Sequence, residues 1–207
     1  MTPLPIVRQG NYHDTAPDTH NPSATAVRDL MLHSGAWLDY VPEDARACFE
    51  NAALHTLHAG ERAVLGKLRT MTDDEFEALP YGSEGLWRKL MKNARQEATL
   101  EDILSATKSK RYTRTRLDRM VMCAFLGLTA DDLAAPAPYT RVLALNKKGR
   151  EILKSARQAG DFPNVGEKVD HPYQQIENRC GSLYGLFCTD APELPDAEAK
   201  RRVQYCE

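Results

Sequence analysis

From Pro42 onward, apolar residues along this chain recur mostly at three- and four-residue intervals, the period of a helix with one buried face. Residues Glu43 to His58 are rich in Ala and Leu and read as helical, and Thr72 with Glu75 has the spacing of a capping box. Ser83 opens a helix with Leu86, Leu90 and Ala94 on one face, and Thr99 with Asp102 caps a shorter one. Beyond Tyr112 a further helix places Leu117, Val121, Ala124 and Leu128 on one stripe. The middle of the chain therefore predicts a helical bundle.

The ends follow a different pattern. Leu4 to Arg8 is a short apolar stretch between prolines and Gly10-Asn11, which predicts a strand running into a loop. Asn21-Pro22-Ser23 follows, and then Val27, Leu30 and Met31 at helical spacing, so Ser23 is the expected N-cap of a helix ending near Gly35. Strand, loop and helix make one unit of an α/β fold, but no neighbouring parallel strand is evident. Further on, Arg141 to Leu145 reads as a strand and Lys147 to Arg157 as the helix after it. The Pro-rich, charged tail past Thr189 reads as loosely held. The expected fold class is mainly α with a small α/β remnant, divided at 1–41, 42–135 and 136–207.

Composition narrows the class. Hydrophobic residues make up 42% and charged residues 27% of 207, with no apolar run of membrane-spanning length and no export signal at the N-terminus, so the expectation is a cytoplasmic protein with no membrane partner. Five cysteines without a Cys-x-x-Cys pair suggest reduced thiols, neither a disulfide framework nor a zinc site. No histidine group shows a shared metal-ligand pattern, and His55-x-x-His58 reads as a helix-surface pair.

Net charge is only −2, yet its distribution is uneven. Between Lys108 and Arg119 stand six bases, Lys108, Lys110, Arg111, Arg114, Arg116 and Arg119, against one acid, Asp118. Compensating acids at i+4 are almost absent, so the side chains are expected to stand outward and unneutralised. Arginine binds phosphate oxygens through a planar fork, and Tyr112 among them offers a ring for a base or ribose. The segment reads as a nucleic-acid contact, with a solvated helix face as the competing reading. A second constellation is Ser23, Thr25 and Arg28, where the first turn of a helix presents free amides to a phosphate. Ordinary capping accounts for the same serine and threonine. A third is Arg8 with Tyr12-His13-Asp14 at a strand end, where open α/β sheets place ligands; His13-Asp14 also reads as a plain surface pair.

Three blocks in this order resemble a known family. Arg8 to Asp14 followed by Ser23-Ala24-Thr25-Ala26-Val27-Arg28 is similar to the end of the nucleotidyltransferase domain of tRNA(Met) cytidine acetate ligases, with Ser-x-Thr-x-x-Arg as its second signature. Ser83-Glu84-Gly85-Leu86, with Lys108-Ser109-Lys110-Arg111-Tyr112-Thr113-Arg114-Thr115-Arg116, resembles that family's most distinctive part, and Arg141-Val142-Leu143 with Asn146-Lys147-Lys148-Gly149 its C-terminal portion. The resemblance implies the end of a Rossmann-like nucleotidyltransferase domain over 1–41, a helical tRNA-binding region over 42–135 and a C-terminal α/β-like extension over 136–207.

By the same resemblance, such an enzyme spends ATP, with Mg, to make acetyl-adenylate and then acetylates the wobble cytidine of elongator tRNA(Met). Arg8, Ser23, Thr25 and Arg28 would contact the nucleotide, and Lys108, Lys110, Arg111, Tyr112, Arg114, Arg116 and Arg119 the tRNA. The family's His-x-Gly-His element is absent from these 207 residues, as are the nucleotide contacts expected upstream of Arg8. No catalytic residue is therefore assigned, negligible adenylate formation is expected of this chain alone, and a separate catalytic half is a conceivable partner. The rival expectations are a non-catalytic helical RNA-binding module and a basic face that docks an acidic protein.

Overall fold

A computed structural model describes Leu4 and residues 22–33, 36–49, 52–191, 194–195 and 198–206. Arg8, the rest of the expected Leu4–Arg8 strand beyond Leu4, and Tyr12-His13-Asp14 thus lie outside the described residues. The chain forms two compact units, Met1–Ala52 and Ala53–Glu207.

In the first unit, α1 spans Ala24–His33, with Ser23 Oγ accepting from Ala26 N at 3.0 Å, which is the expected cap. A 3-10 turn over Leu38–Tyr40 leads to α2, Glu43–Phe49, where the Trp37 ring meets Phe49 edge-on with centroids 5.3 Å apart.

The second unit contains α3 (Glu61–Thr70), α4 (Asp73–Glu77), α5 (Leu86–Gln96), α6 (Leu100–Thr107), α7 (Arg114–Leu126) and α8 (Ala130–Ala134). Then come β1 (Ala144–Leu145), α9 (Lys147–Ala156), α10 (Tyr173–Tyr184) and β2 (Gln204–Tyr205). The core lies where α5 packs on α6 and α3 on α7, around Leu68, Phe76, Leu90, Ile103, Leu117 and Met120, each at most 1% exposed. These are the i, i+3 and i+4 positions of their helices, so burying one face is what turns the sequence period into a bundle. The cap signals hold: Thr72 and Glu75 form a reciprocal capping box, and Thr99 accepts from Asp102 N. Thr107 is fully buried, yet its hydroxyl accepts from Asn93 Nδ2 at 2.9 Å and donates to Ile103 O at 2.6 Å, leaving no orphaned polar group at the end of α6.

Five expectations are corrected. The helix from Glu43 stops at Phe49, and residues 52–60 run extended and through turns. There Thr56 N donates to Phe187 O and Thr189 N to Leu54 O, both at 2.8 Å, so tertiary pairing outweighs a weak helical preference. His55 consequently is not on a helix; its ring stacks on Tyr184 at 4.2 Å. The helix after Ser83 begins three residues later, because Gly85 adopts φ 79° and serves as its N-cap. The described end of the tail is not loose: β2 pairs in parallel with β1, with Gln204 N donating to Leu143 O and Cys206 N to Leu145 O, both at 3.1 Å. The predicted strand over Arg141–Leu145 narrows to β1 and a bridge from Val142 to Asn164.

Candidate nucleic-acid interface

Two connections meet on the surface of the second unit. The one between α6 and α7, residues 108–113, is a tight turn in which Ser109 and Tyr112 exchange backbone hydrogen bonds, with N···O distances of 3.4 and 3.2 Å. Thr113 then caps α7 through its hydroxyl. The other joins α4 to α5 through Pro80-Tyr81-Gly82-Ser83-Glu84-Gly85. Three of its residues lie in the left-handed region: Tyr81 at φ 66°, Glu84 at 63° and Gly85 at 79°. A non-glycine residue held there is strained by about 1–2 kcal/mol, so the surroundings must over-determine the loop.

They do so with the basic segment. Arg116 donates from Nε to the Tyr81 carbonyl at 2.9 Å and from Nη2 to Ser83 Oγ at 2.8 Å. Tyr112 OH donates to the Glu84 carbonyl at 3.0 Å, and Arg111 reaches the Glu84 carboxylate at 2.7 Å. The Arg111 and Arg116 guanidinium groups also lie 5.9 and 5.3 Å from the Tyr112 ring centroid. From below, Gly82 is wedged so that any Cβ would lie 3.1 Å from Leu79 O, Met120 Cε and Trp87 Cβ. The Ser83–Leu86 and Lys108–Arg116 blocks, 25 positions apart at their starts, thus form one cluster.

The expectation that these arginines stand unneutralised is corrected for Arg111, paired with Glu84, and for Arg114. Arg114 makes a bidentate pair with Glu101, both contacts 2.7 Å, and donates from Nε to Asp118 at 2.8 Å. The hydrogen bonds from Arg114 hold the Glu101 carboxyl below the ordinary carboxylate range, and those from Arg111 do the same for Glu84. The compensating acids come mainly from other elements, so counting i+4 partners along the segment finds only Asp118. Lys108, Lys110 and Arg119 are exposed and have no ion pair among the described residues. The expected RNA-binding set therefore divides into clamped arginines and open cations.

Sequence reasoning missed Lys89, Lys92 and Arg88. Lys89 Nζ donates to Thr107 O at 2.9 Å and to Lys108 O at 3.4 Å, placing a cation on the C-terminal end of α6 beside the basic turn. Lys92 follows one helical turn later on α5, exposed, and Arg88 stacks over Trp87 at 4.9 Å. The helical spacing of 88, 89 and 92 was legible, but not that α5 borders residue 108.

A cavity of about 570 Å³ lies elsewhere in this unit and is lined by Arg141, Leu143, Glu167, Lys168, Glu177 and Asn178 among others. Its arginine is already engaged: Arg141 binds Glu177 at 2.9 Å and the carbonyls of Asn164 and Glu167 at 3.1 and 2.6 Å. In the first unit, Thr25 and Arg28 are exposed on α1 while Ser23 Oγ is engaged in the cap. That helix start has no acid in its first turn, which suits a phosphate, and Thr25 and Arg28 are the side chains placed to meet one. Among the described residues no group of three or more His, Cys, Asp or Glu is arranged as a metal site.

A family model for HIGH nucleotidyl transferases matches residues 1–194, and the chain belongs to that family. Within it, this chain is a relative of the tRNA(Met) cytidine acetate ligases. It is 31% identical over 195 residues to tRNA(Met) cytidine acetate ligase of Limosilactobacillus reuteri, covering 89% of this chain and 51% of that protein. To the ligase of Bacillus subtilis it is 27% identical over 206 residues, covering 90% and 49%. The chain thus spans about half the length of these relatives. The apo crystal structure of Thermotoga maritima TmcAL superposes with a TM-score of 0.78 at 23% identity, covering 95% of this chain and 54% of that one, which shows the shared fold. No helix among the described residues is long and apolar enough to cross a membrane.

Proposed function

We propose that this chain provides the RNA-binding part of an ATP-dependent tRNA(Met) cytidine acetate ligase acting in the cytoplasm. The observation that carries the reading is the convergence of Ser83–Leu86 with Lys108–Arg116, the two blocks of the most distinctive resemblance, into one cationic surface cluster. The relatives' names support the substrate: they are ligases of tRNA(Met) cytidine. A related crystal structure from Thermotoga maritima, bound with alpha-thio ATP, supports a nucleotide in the reaction.

The chemistry requires activation, because acetate's own leaving group would be oxide. An acetate oxygen attacks the α-phosphorus of ATP, pyrophosphate departs, and the N4 amine of cytidine then attacks the acetyl carbonyl and expels AMP. In this chain Arg8, Ser23, Thr25 and Arg28 are proposed to face the nucleotide phosphates, where positive charge and helix amides stabilise developing negative charge. Lys108, Lys110 and Arg119 bind tRNA phosphates directly, while Arg111, Tyr112, Arg114 and Arg116 shape the surface that presents them. The adenylation step draws on a His-x-Gly-His element from outside these 207 residues, on a separate half or elsewhere.

The test is binding of elongator tRNA(Met) to this chain across a salt series, with heparin as competitor. Specific binding whose log–log slope falls when open cations are removed supports the reading. Equal preference for heparin instead marks the basic face as a general polyanion or acidic-protein dock and sinks it. A pyrophosphate-release assay with ATP and acetate should read near background for the chain alone and rise when a His-x-Gly-His half is added.

A further inference from the structure

We propose that Tyr81 is a stacking platform for one unpaired base of the bound RNA, an inference that rests on the RNA-binding reading above. Tyr81 is an aromatic residue in a backbone region that favours glycine, at φ 66°, and it is nevertheless 40% exposed. Burial of its ring therefore does not account for its place in the turn. Its neighbour Gly82 supplies the anchoring contact, pressed among Leu79, Trp87 and Met120. The strained geometry is held from the other side by Arg116, on the Tyr81 carbonyl and Ser83 hydroxyl, and by Arg111 and Tyr112 on Glu84.

The clamp explains why arginines in the most basic part of the chain are spent on a loop. They are positioning residues, and what they position is a loop whose Tyr81 is 40% exposed, gripped by a segment that also carries the open cations Lys108, Lys110 and Arg119. An aromatic face next to unpaired cations is the pairing of features by which proteins hold unstacked nucleotides: the ring takes the base, the cations its flanking phosphates. An acidic protein partner would use the cations but has no need of an exposed ring presented under strain.

The experiment uses the full 207-residue chain with a single-stranded RNA oligonucleotide containing 2-aminopurine, whose fluorescence is quenched by stacking, and a blunt duplex of the same length. The parent should prefer the single strand and quench the probe. Tyr81→Phe keeps the ring and should bind within about twofold, with the quench intact. Tyr81→Gly removes the ring and relieves the positive-φ strain, so its melting temperature should hold or rise while single-strand affinity falls about tenfold and the quench disappears. The inference is overturned if Tyr81→Gly binds and quenches like the parent. It is equally overturned if Tyr81→Phe loses as much as Tyr81→Gly, or if the loss tracks a lowered melting temperature. If the parent binds neither RNA, the RNA-binding function itself fails, a result distinct from normal parent binding that is indifferent to position 81.

Discussion

Arg141 and Arg114 each grip a carboxylate with a two-pronged fork, Glu177 in one case and Glu101 in the other. Their settings differ. Arg141 is 14% exposed, its remaining donors serve two backbone carbonyls, and Tyr139 OH joins the same glutamate at 2.7 Å, so the cluster ties residues 139–141, 164–167 and α10 together. Arg114 is 36% exposed, its acid 64%, and three open cations share its segment. The first cluster is internal framework; the second is a surface whose charges water screens and an anionic partner can reach. Identical guanidinium chemistry thus sits in closed framework or at an open surface according to how much solvent remains around it.

Replacing Arg141 with Ala should sharpen this contrast most. It strips the guanidinium from Glu177, which keeps only the Tyr139 hydroxyl, and removes a donor from the Asn164 and Glu167 carbonyls, so about 2–3 kcal/mol of stability should be lost in chemical denaturation, with tRNA affinity unchanged in whatever remains folded. Removing Lys108, Lys110 and Arg119 together should do the reverse: the slope of log affinity against log salt should fall by about 2–3, while stability shifts by no more than about 0.5 kcal/mol. A triple variant with the parent's slope would break the assignment of these residues.

The clusters should also separate by pH. Burial, followed by the hydrogen bond to Glu177, pushes the Tyr139 phenol up to about 12. A raised folded pKa means that its stabilisation is complete below the ordinary tyrosine value and lost as pH rises toward 12, so Tyr139→Phe should flatten the alkaline limb of stability. Glu177 and Glu101 are depressed, mainly by their arginines. Their stabilisation is present above the ordinary carboxylate range and is lost as pH falls through their lowered values. The smallest effect belongs to Glu101→Gln, less than about 1 kcal/mol after solvent screening, seen as a slightly shallower acid limb in a pH-resolved melting series.

Much of the helical unit was legible in the chain. The apolar faces of α5 and α7 and the caps at Thr72 and Thr99 are settled by residues three or four apart, and the structure keeps them, except that α7 stops at Leu126 before a left-handed Gly127 and leaves Leu128 outside the helix. α10 carries Tyr173, Ile176, Cys180, Leu183 and Tyr184 at helical spacing, but two of these are tyrosines, Gly181 interrupts the run and none of its residues is fully buried, so its apolar face stands out less than those of α5 and α7. The tail misled for a related reason: Gln204 and Tyr205 are exposed, so only the backbone of β1, about sixty residues earlier, reveals them as a strand. In the candidate site the motifs were readable, but the division between clamped and open cations was not.

Amino-acid order alone determined the helical period, the cap positions and the concentration of positive charge at 108–119, because each depends on residues close along the chain, and it also determined the membership in a family, which rests on the order of blocks along residues 1–194. Which cations remain open was decided only by folding. Glu84 meets Arg111 across 27 residues, Glu101 meets Arg114 across 13 and the Tyr81 carbonyl meets Arg116 across 35. Coulomb attraction and hydrogen bonding act through space, so a charge's partner is set by where the bundle closes and not by its neighbours along the chain.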